Sequence, residues 1–496
     1  MLTGWRLHLS KCFIIPHRYI VAIMGFLAIL NAYTMRTTLS IAITEMVIPR
    51  NSTSSGDHGC PLEGDGQGDG PIIKNPEDLY DWDETTQGLI LSSFFWGYII
   101  THMPGGILAE KFGGKYSLGI GILSTAVFTL ITPAVIRLVD GDWRWLCALR
   151  VCVGLGEGTT FPAINALLAK WVPLSERSRL GSLTFAGGLL GIFLGTSLSG
   201  ILIKHTQDWG SVFYFFGGLG VVWFVIWTLM CYSDPESHPF ISDKEKNFLR
   251  KELASVSNEN NPIPWKAILT SAPLWALIAV QIGQDWGFYA MVTDLPKYMK
   301  DILKFKIDEN GLWSSLPYVL MWIVSLGSGW LCDWIIKKEY MGITFARKFF
   351  TTVASMGPAV FIVGASYSGC DRYLAVALFT IAMGLMGTVY CGMKVNALDL
   401  SPNFAGTLMA IVNGIGAVSG IITPYLIGAL TANHTLEQWQ LVFWITLGVF
   451  TVTNIIFVLF ASGETQWWNN VDKPETGMYD HDAHRLGVPS KQTSKF

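Results

Sequence analysis

Charge is what this sequence has least of. Only 14% of its 496 residues are Asp, Glu, Lys or Arg, against roughly 25% in a soluble globular domain, so a water-exposed fold of this size is excluded. The net charge is −3, and no basic patch interleaved with aromatics occurs, which sets nucleic acid aside as a partner. The eight cysteines form no C-x-x-C pair and show no metal-ligand spacing, so neither a zinc site nor a redox motif is expected. There is no nucleophile–base pair and no phosphate-cradling loop; an enzyme, a resident metal and a cofactor are not expected. The first apolar run begins near Tyr19 and outlasts any signal-peptide core, with no small-residue cleavage site after it.

What fills the chain instead is apolar surface. Hydrophobic residues make up 51%, the mean hydropathy is +0.39, and several runs exceed the ~18 residues that mark a membrane-crossing helix. The expectation is an all-α polytopic membrane protein with twelve spans. They lie near 19–47, 88–109, 116–138, 144–171, 180–204 and 211–232, then 273–298, 311–336, 345–367, 372–397, 405–430 and 438–462. This gives a cytosolic N-terminus (1–18), a six-helix half (19–232), a cytosolic linker (233–272), a second six-helix half (273–462) and a polar cytosolic tail (463–496).

Lys and Arg in short loops set the orientation. Arg6, Lys11 and Arg18, then Lys111 and Lys115, then Lys170, Arg177 and Arg179, then Lys337, Lys338, Arg347 and Lys348 fall on one side if the N-terminus is cytosolic. The first long loop, with NPEDLYDWDE at 75–84, is acidic and lies outside. Segment 297–306, with four lysines, runs against this pattern. The sequons at Asn51 and Asn433 share the outer face, where glycans can be added. Cys60 and Cys370 also lie outside, and either a disulfide between them or two free thiols is compatible with the spacing. In the linker, Ser242 with Glu245 forms a capping box ahead of an amphipathic helix expected to brace the two halves.

The two halves repeat one another. Gly88 aligns with Gly311, and Ser92 with Ser315, at an offset of 223 residues (311 − 88). Gly106 to Gly329 and Glu110 to Asp333 keep the same offset, which marks an internal duplication. Two related six-span halves describe a transporter whose substrate site lies between them near the midplane. The G-x-L-x-[DE] segment Gly106–Glu110 resembles the loop signature of the major facilitator superfamily. There a glycine allows close helix approach, and the acid can cap or pair across a cytosolic latch.

Three charges stand inside apolar runs. A charge at the bilayer centre costs about 2.5–3.5 kcal/mol on insertion scales, so such residues usually face a cavity. Arg36 lies deep in the first span; Arg150 and Glu157 are seven residues apart on the fourth, roughly 10 Å along one face. Arginine offers a rigid donor fork for an anion, and a carboxylate in a cavity can take up a proton or cation. The expected roles are substrate binding by Arg36 and Arg150 and cation coupling by Glu157; an internal salt bridge is the alternative. Asn165, Gln284, Asn396 and His102 are further candidates for the cavity, with helix packing as their alternative; Asp285 is a candidate second ionisable site there, with pairing to a lysine as its alternative, while Lys394 is expected to snorkel to the cytosolic surface.

The stretches SSFFWGYIITHMPGG, GLGEGTTFPA, WVPLSERSRL, ENGLWSSLPY and VNALDLSPNFAGTLMAI are similar to those of the anion–cation symporter family. That family contains sialin, the vesicular glutamate transporters and the type I sodium–phosphate cotransporters, and the insect inorganic phosphate cotransporter branch looks nearest. The resemblance implies a major facilitator fold and symport of a small anion, inorganic phosphate with sodium or an organic anion with protons, by a monomer in the bilayer. An anion channel is the remaining rival. It also implies the roles given above to Arg36, Arg150 and Glu157. This chain has Val153 where sialin-like members carry a second glutamate, and Asn165 where they carry a histidine. It has Gln284 and Leu91 where vesicular glutamate transporters carry an arginine and a histidine. Vesicular glutamate loading is therefore not expected. With no acidic dileucine signal in MLTGWRLHLSKCF, the plasma membrane is favoured over lysosomal or vesicular membranes.

Overall fold

A computed structural model of the chain describes residues 16–48, 79–254, 263–401, 404–432 and 435–469. Asn51, Asn433 and Cys60 lie outside the described residues. The first half holds span 1 (His17–Met46), span 2 (Glu84–Phe112), span 3 (Gly114–Leu138), span 4 (Trp143–Glu157 with Thr160–Trp171), span 5 (Leu174–Phe185 with Gly187–Thr206) and span 6 (Gly210–Met230). The second holds span 7 (Ala272–Tyr289, continuing through Ala290–Asp294 to Leu295–Asp301), span 8 (Ile307–Lys337) and span 9 (Ile343–Ser366). Span 10 (Arg372–Met386 with Met393–Leu400), span 11 (Ala405–Gly416 with Ser419–Leu430) and span 12 (Leu436–Phe460) complete it. Ten of these twelve passes are long and apolar enough to cross a membrane by composition alone. The other two, spans 2 and 7, carry polar residues that the seam between the halves uses.

The helix breaks have local causes. Pro162 cannot bond the carbonyl of Gly158 four residues back, and span 4 breaks between Glu157 and Thr160. Pro296 stands in the same relation to Val292, inside the π-helical part of span 7. Spans 4 and 10 are both interrupted, as are spans 5 and 11, so the interruptions fall on repeat-equivalent helices.

The repeat is also visible in packing. A methyl group added at Gly88 would meet the Pro424 carbonyl at 2.4 Å, and one at Gly311 the Thr196 carbonyl at 2.9 Å. The two aligned glycines therefore do one job: each lets span 2 or span 8 touch a helix of the other half. Ser92 and Ser315 likewise donate to the carbonyls of Leu89 and Leu312, three residues back. The seam pairs span 2 with span 11 and span 5 with span 8, as a two-fold axis along the membrane normal requires. These close approaches sit at one end of the seam. Toward the other ends of the same helices, a methyl at Gly181, Gly327, Gly329 or Gly414 would meet nothing within 4 Å. The halves are packed together at the end that carries Gly88 and Gly311 and stand further apart at the other.

Ion pairs fasten the packed end. Lys297 of span 7 donates to Glu84 of span 2 at 2.5 Å with both buried, and Lys300 reaches Glu45 at 3.0 Å and the Thr44 carbonyl of span 1. This explains the lysine-rich segment that runs against the charge rule: Lys297 and Lys300 lie in a helix and are matched by acids of the first half. Removing one partner of a buried pair costs about 3–5 kcal/mol. Lys297→Met should therefore weaken the closed outer face and populate the outward-open state. The check is labelling of Leu91→Cys by an impermeant maleimide, expected to be faster in the Lys297→Met background.

The linker helix is Asp243–Ala254, and the Ser242 hydroxyl accepts from the Glu245 amide at 3.2 Å. The expected reciprocal bond is replaced: the Glu245 carboxylate accepts from the amides of His17 and Arg18 at 3.0 and 3.2 Å and pairs with the Arg18 guanidinium at 3.2 Å. It caps span 1, whose own cap position, Pro16, offers no side-chain acceptor. The contacts formed by Glu245 thus tie the linker to the first half, where a brace across both halves was expected. Burial opposes the Glu245 charge, but the His17 and Arg18 donors outweigh it and hold the carboxyl below its ordinary value of 4.5. A depressed carboxyl stabilises the fold above its unfolded pKa, and that stabilisation is lost as pH falls through the folded one. Glu245→Gln should cost about 1–2 kcal/mol at neutral pH, and its Tm deficit should shrink as pH is lowered below 4.5.

Cys370 is disulfide-bonded to a partner outside the described residues, since Cys147, Cys152, Cys231, Cys332 and Cys391 are free.

Candidate functional site

Spans 2 and 4 are in backbone contact where the site forms. A methyl at Gly154 would lie 2.0 Å from the Phe94 carbonyl, and one at Gly97 2.0 Å from the Val151 carbonyl. Only glycine permits this approach, and it brings the Phe94–Tyr98 turn against the Arg150–Glu157 turn.

Arg36 of span 1 enters between them. Its Nη2 donates to Glu157 Oε1 in a buried ion pair. Its guanidinium lies over the rings of Tyr33 (4.5 Å), Phe94 (4.7 Å) and Tyr98 (5.1 Å), which stabilise a desolvated cation through their π faces. Arg150 donates from Nη2 to the Arg36 carbonyl at 3.2 Å and lies 5.2 Å from the Phe94 ring. Arg36 Nε, Arg150 Nε and Glu157 Oε2 are buried and meet no hydrogen-bond partner among the described residues. Unmet donors and an unmet acceptor in one spot are uncommon in a folded core. All three charges are at least 94% removed from solvent, Arg36 being 6% exposed, Arg150 5% and Glu157 1%. Both arginines line a cavity that admits water centres over about 10 Å³, roughly one water. Tyr33, Ser40, Leu91, Phe95, Phe288, Tyr289, Val292 and Thr293 complete its wall, so both halves contribute.

The second half adds charges of its own. Asp285 on span 7 is partly exposed and feels both Lys394 of span 10 and Arg36 across the seam. Lys394 does not snorkel. Its Nζ donates to Gln281 Oε1 at 2.9 Å and to Asn413 Oδ1 at 3.0 Å. Gly416 lets span 11 close over this pair, since a methyl there would meet Asp285 Oδ2 and Gln281 Cγ at 2.5 Å.

The remaining candidates divide. Asn165 is exposed eight residues beyond Glu157, past the span 4 break. Gln284 turns into the second half, donating to Ser355 of span 9 at 2.7 Å. Asn396, fully buried, donates to the Ser462 carbonyl at 2.8 Å and anchors the end of span 12 to span 10. His102 is buried, its ring 5.1 Å from that of Tyr98. Gln284 and Asn396 hold helices together, His102 stacks on a ring of its own helix, and none of the three lines the described cavity. Gly106 and Glu110 belong to the last turns of the span 2 helix, with the turn made by Gly113 at φ +88°, so the latch signature is helical where a loop was expected. Its second copy, Gly329 and Asp333, lies on open or exposed surface.

Sequence reasoning missed Lys394 and the rings around Arg36. The rings leave a trace in i,i+3 and i,i+4 spacing, Tyr33 to Arg36 and Phe94 to Tyr98. The acceptors of Lys394 come from two other spans and leave none.

Comparison with known proteins bears on the family and the fold. The profile of the Major Facilitator Superfamily matches residues 21–424. A Drosophila melanogaster protein named "Putative inorganic phosphate cotransporter" is 40% identical over 476 residues, covering 94% of this chain and 88% of its own. Human sialin is 40% identical over 476 residues, covering 94% of this chain and 92% of its own. Among solved structures, the D-xylose–proton symporter superposes with a TM-score of 0.65 at 14% identity, over 91% of this chain and 99% of that one, a likeness of fold.

Proposed function

The chain belongs to the major facilitator superfamily of multi-pass membrane transporters, and from that premise we propose that it carries out cation-coupled symport of a small anion. The observation that carries this reading is the buried Arg36–Glu157 pair beside Arg150, with both arginines lining a cavity walled by both halves. With Glu157 charged, Arg36 is occupied and the site repels an incoming anion at its acid. Loading Glu157 with a cation releases Arg36, so the two guanidiniums present their donors together. Anion binding and cation binding then require each other, which is what coupling means thermodynamically. The seam supplies the movement: the outer ion pairs open as the cytosolic ends close, and Gly106, Glu110, Gly329 and Asp333 are the proposed cytosolic latch.

The name of the Drosophila relative supports inorganic phosphate as the anion; sodium is the cation proposed to accompany it. One observation favours a proton as the coupling ion, and with it an organic anion. Glu157 is paired with the Arg36 guanidinium, which itself lies against aromatic rings, whereas sodium is held by several backbone or side-chain oxygens. Uptake of labelled phosphate and labelled carboxylates into proteoliposomes, under separately imposed sodium and proton gradients, tests both readings. Concentrative uptake driven by one gradient supports symport. Flux that only equilibrates would sink symport in favour of a channel.

A further inference from the structure

Apart from the Lys297–Glu84 and Lys300–Glu45 pairs and the buried Asp294 beside them, one row of charges at the seam does not cancel: among the described residues it holds three cations, Arg36, Arg150 and Lys394, and two acids, Glu157 and Asp285. They follow one another as Arg150, Glu157, Arg36, Asp285 and Lys394, alternating in sign across the interface. Lys394 stands in the first turn of the helix that resumes span 10 after its break, while Glu157 closes the helix that precedes the break of span 4. The two repeat-equivalent spans thus each place one ionisable group beside their interruption, of opposite sign. A cation in the first turn of a helix opposes the helix dipole, so local stability does not account for it. Nor is Lys394 sealed: it is partly exposed, held by two neutral amide oxygens that an anion can outcompete for a charged donor.

We propose that Lys394 is the anion contact of the second half, with Asp285 as its counter-charge in the empty state, and that the substrate is a small dianion bridging Lys394 to Arg36 and Arg150. This rests on the symport reading given above. With both acids charged, the row carries a surplus of one positive charge; with Glu157 cation-loaded, it carries two. A dianion then neutralises the site, and a neutral loaded site is the form that closes within a low-dielectric seam at least electrostatic cost. A monoanion leaves a charge uncompensated. Inorganic phosphate in its doubly charged form and a short dicarboxylate share this chemistry.

The test is uptake by reconstituted full-length protein, at slightly alkaline pH, of labelled phosphate, labelled succinate and labelled lactate. Uptake of phosphate or succinate well above lactate is expected, and which of the two is taken up tells a compact oxyanion from an extended dicarboxylate. Preference for lactate over both overturns the proposal. Lys394→Gln should raise the KM for the preferred dianion about tenfold or more, with Lys394→Arg restoring most of it; a KM unchanged by Lys394→Gln overturns the proposal. Asp285→Asn should move the other way and lower that KM, because it removes a competing acid. A purely structural role would weaken binding in both variants. If Lys394→Gln does not fold, Asp285→Asn decides alone, an unchanged or higher KM counting against the proposal. Arg150→Ala separates the levels: if it is inactive while Lys394→Gln is silent, only this inference fails, and if Arg150→Ala is also silent, the site reading fails with it.

Discussion

Arg150→Ala is expected to abolish anion uptake, by about 100-fold or more, in protein that still folds and reaches the membrane. Truncating a desolvated charged contact costs about 2–5 kcal/mol of binding, and the lost donor fork cannot be replaced by a neighbour. Arg150 is the better test than Arg36 because of what each holds in place. Arg36 neutralises Glu157, so its removal strands a buried carboxylate and destabilises the fold by about 3–5 kcal/mol. Arg150 makes one hydrogen bond to the protein, to the Arg36 carbonyl, and one ring contact. Its removal asks little of the fold. Arg150→Lys should also be severely impaired, since a single ammonium cannot reproduce the planar fork. Thermal unfolding in detergent within a few degrees of wild type, together with loss of uptake, is the expected pair of results. Wild-type uptake by Arg150→Ala would remove Arg150 from the site.

The sequence made the existence of this site legible, though not its wiring. Arg36, Arg150 and Glu157 announce themselves because charge in an apolar span is costly, and the seven-residue spacing puts the latter two on one face. Which arginine Glu157 chooses is set by tertiary packing: Gly97 and Gly154 bring spans 2 and 4 into backbone contact, and span 1 delivers Arg36 into the gap. The repeat was legible down to single residues, since Gly88 and Gly311 perform the same close approach at equivalent seams. Lys394 was misread because distance from the midplane is a one-dimensional quantity, whereas its acceptors, Gln281 and Asn413, are 113 and 19 residues away. For Asn396 and Gln284 the sequence leaves cavity lining and helix packing both open, because polarity alone does not choose between them. A buried amide satisfies a neighbouring carbonyl or hydroxyl equally well, and the geometry favours that use.

Glu157→Gln should separate binding from driving force. Glutamine keeps the size of the side chain and an oxygen for Arg36, so the helix packing around Gly154 and Gly158 is undisturbed. What it loses is the charge that competes with the anion and the site at which the coupling cation enters. The variant mimics a permanently loaded acid. Exchange of labelled for unlabelled anion across the bilayer should persist, since the loaded site still alternates between the two faces. Accumulation against a gradient should fall to background, because a fixed neutral side chain cannot bind a cation on one side and release it on the other. The pH dependence of uptake carried by Glu157 should flatten at the same time. If Arg36–Glu157 were only a structural salt bridge, the neutral variant would be less stable and would lose exchange and accumulation together. Retained exchange with lost accumulation is therefore the signature of coupling. Intact gradient-driven accumulation in Glu157→Gln would move the coupling site elsewhere, with Asp285 the next carboxylate along the same row.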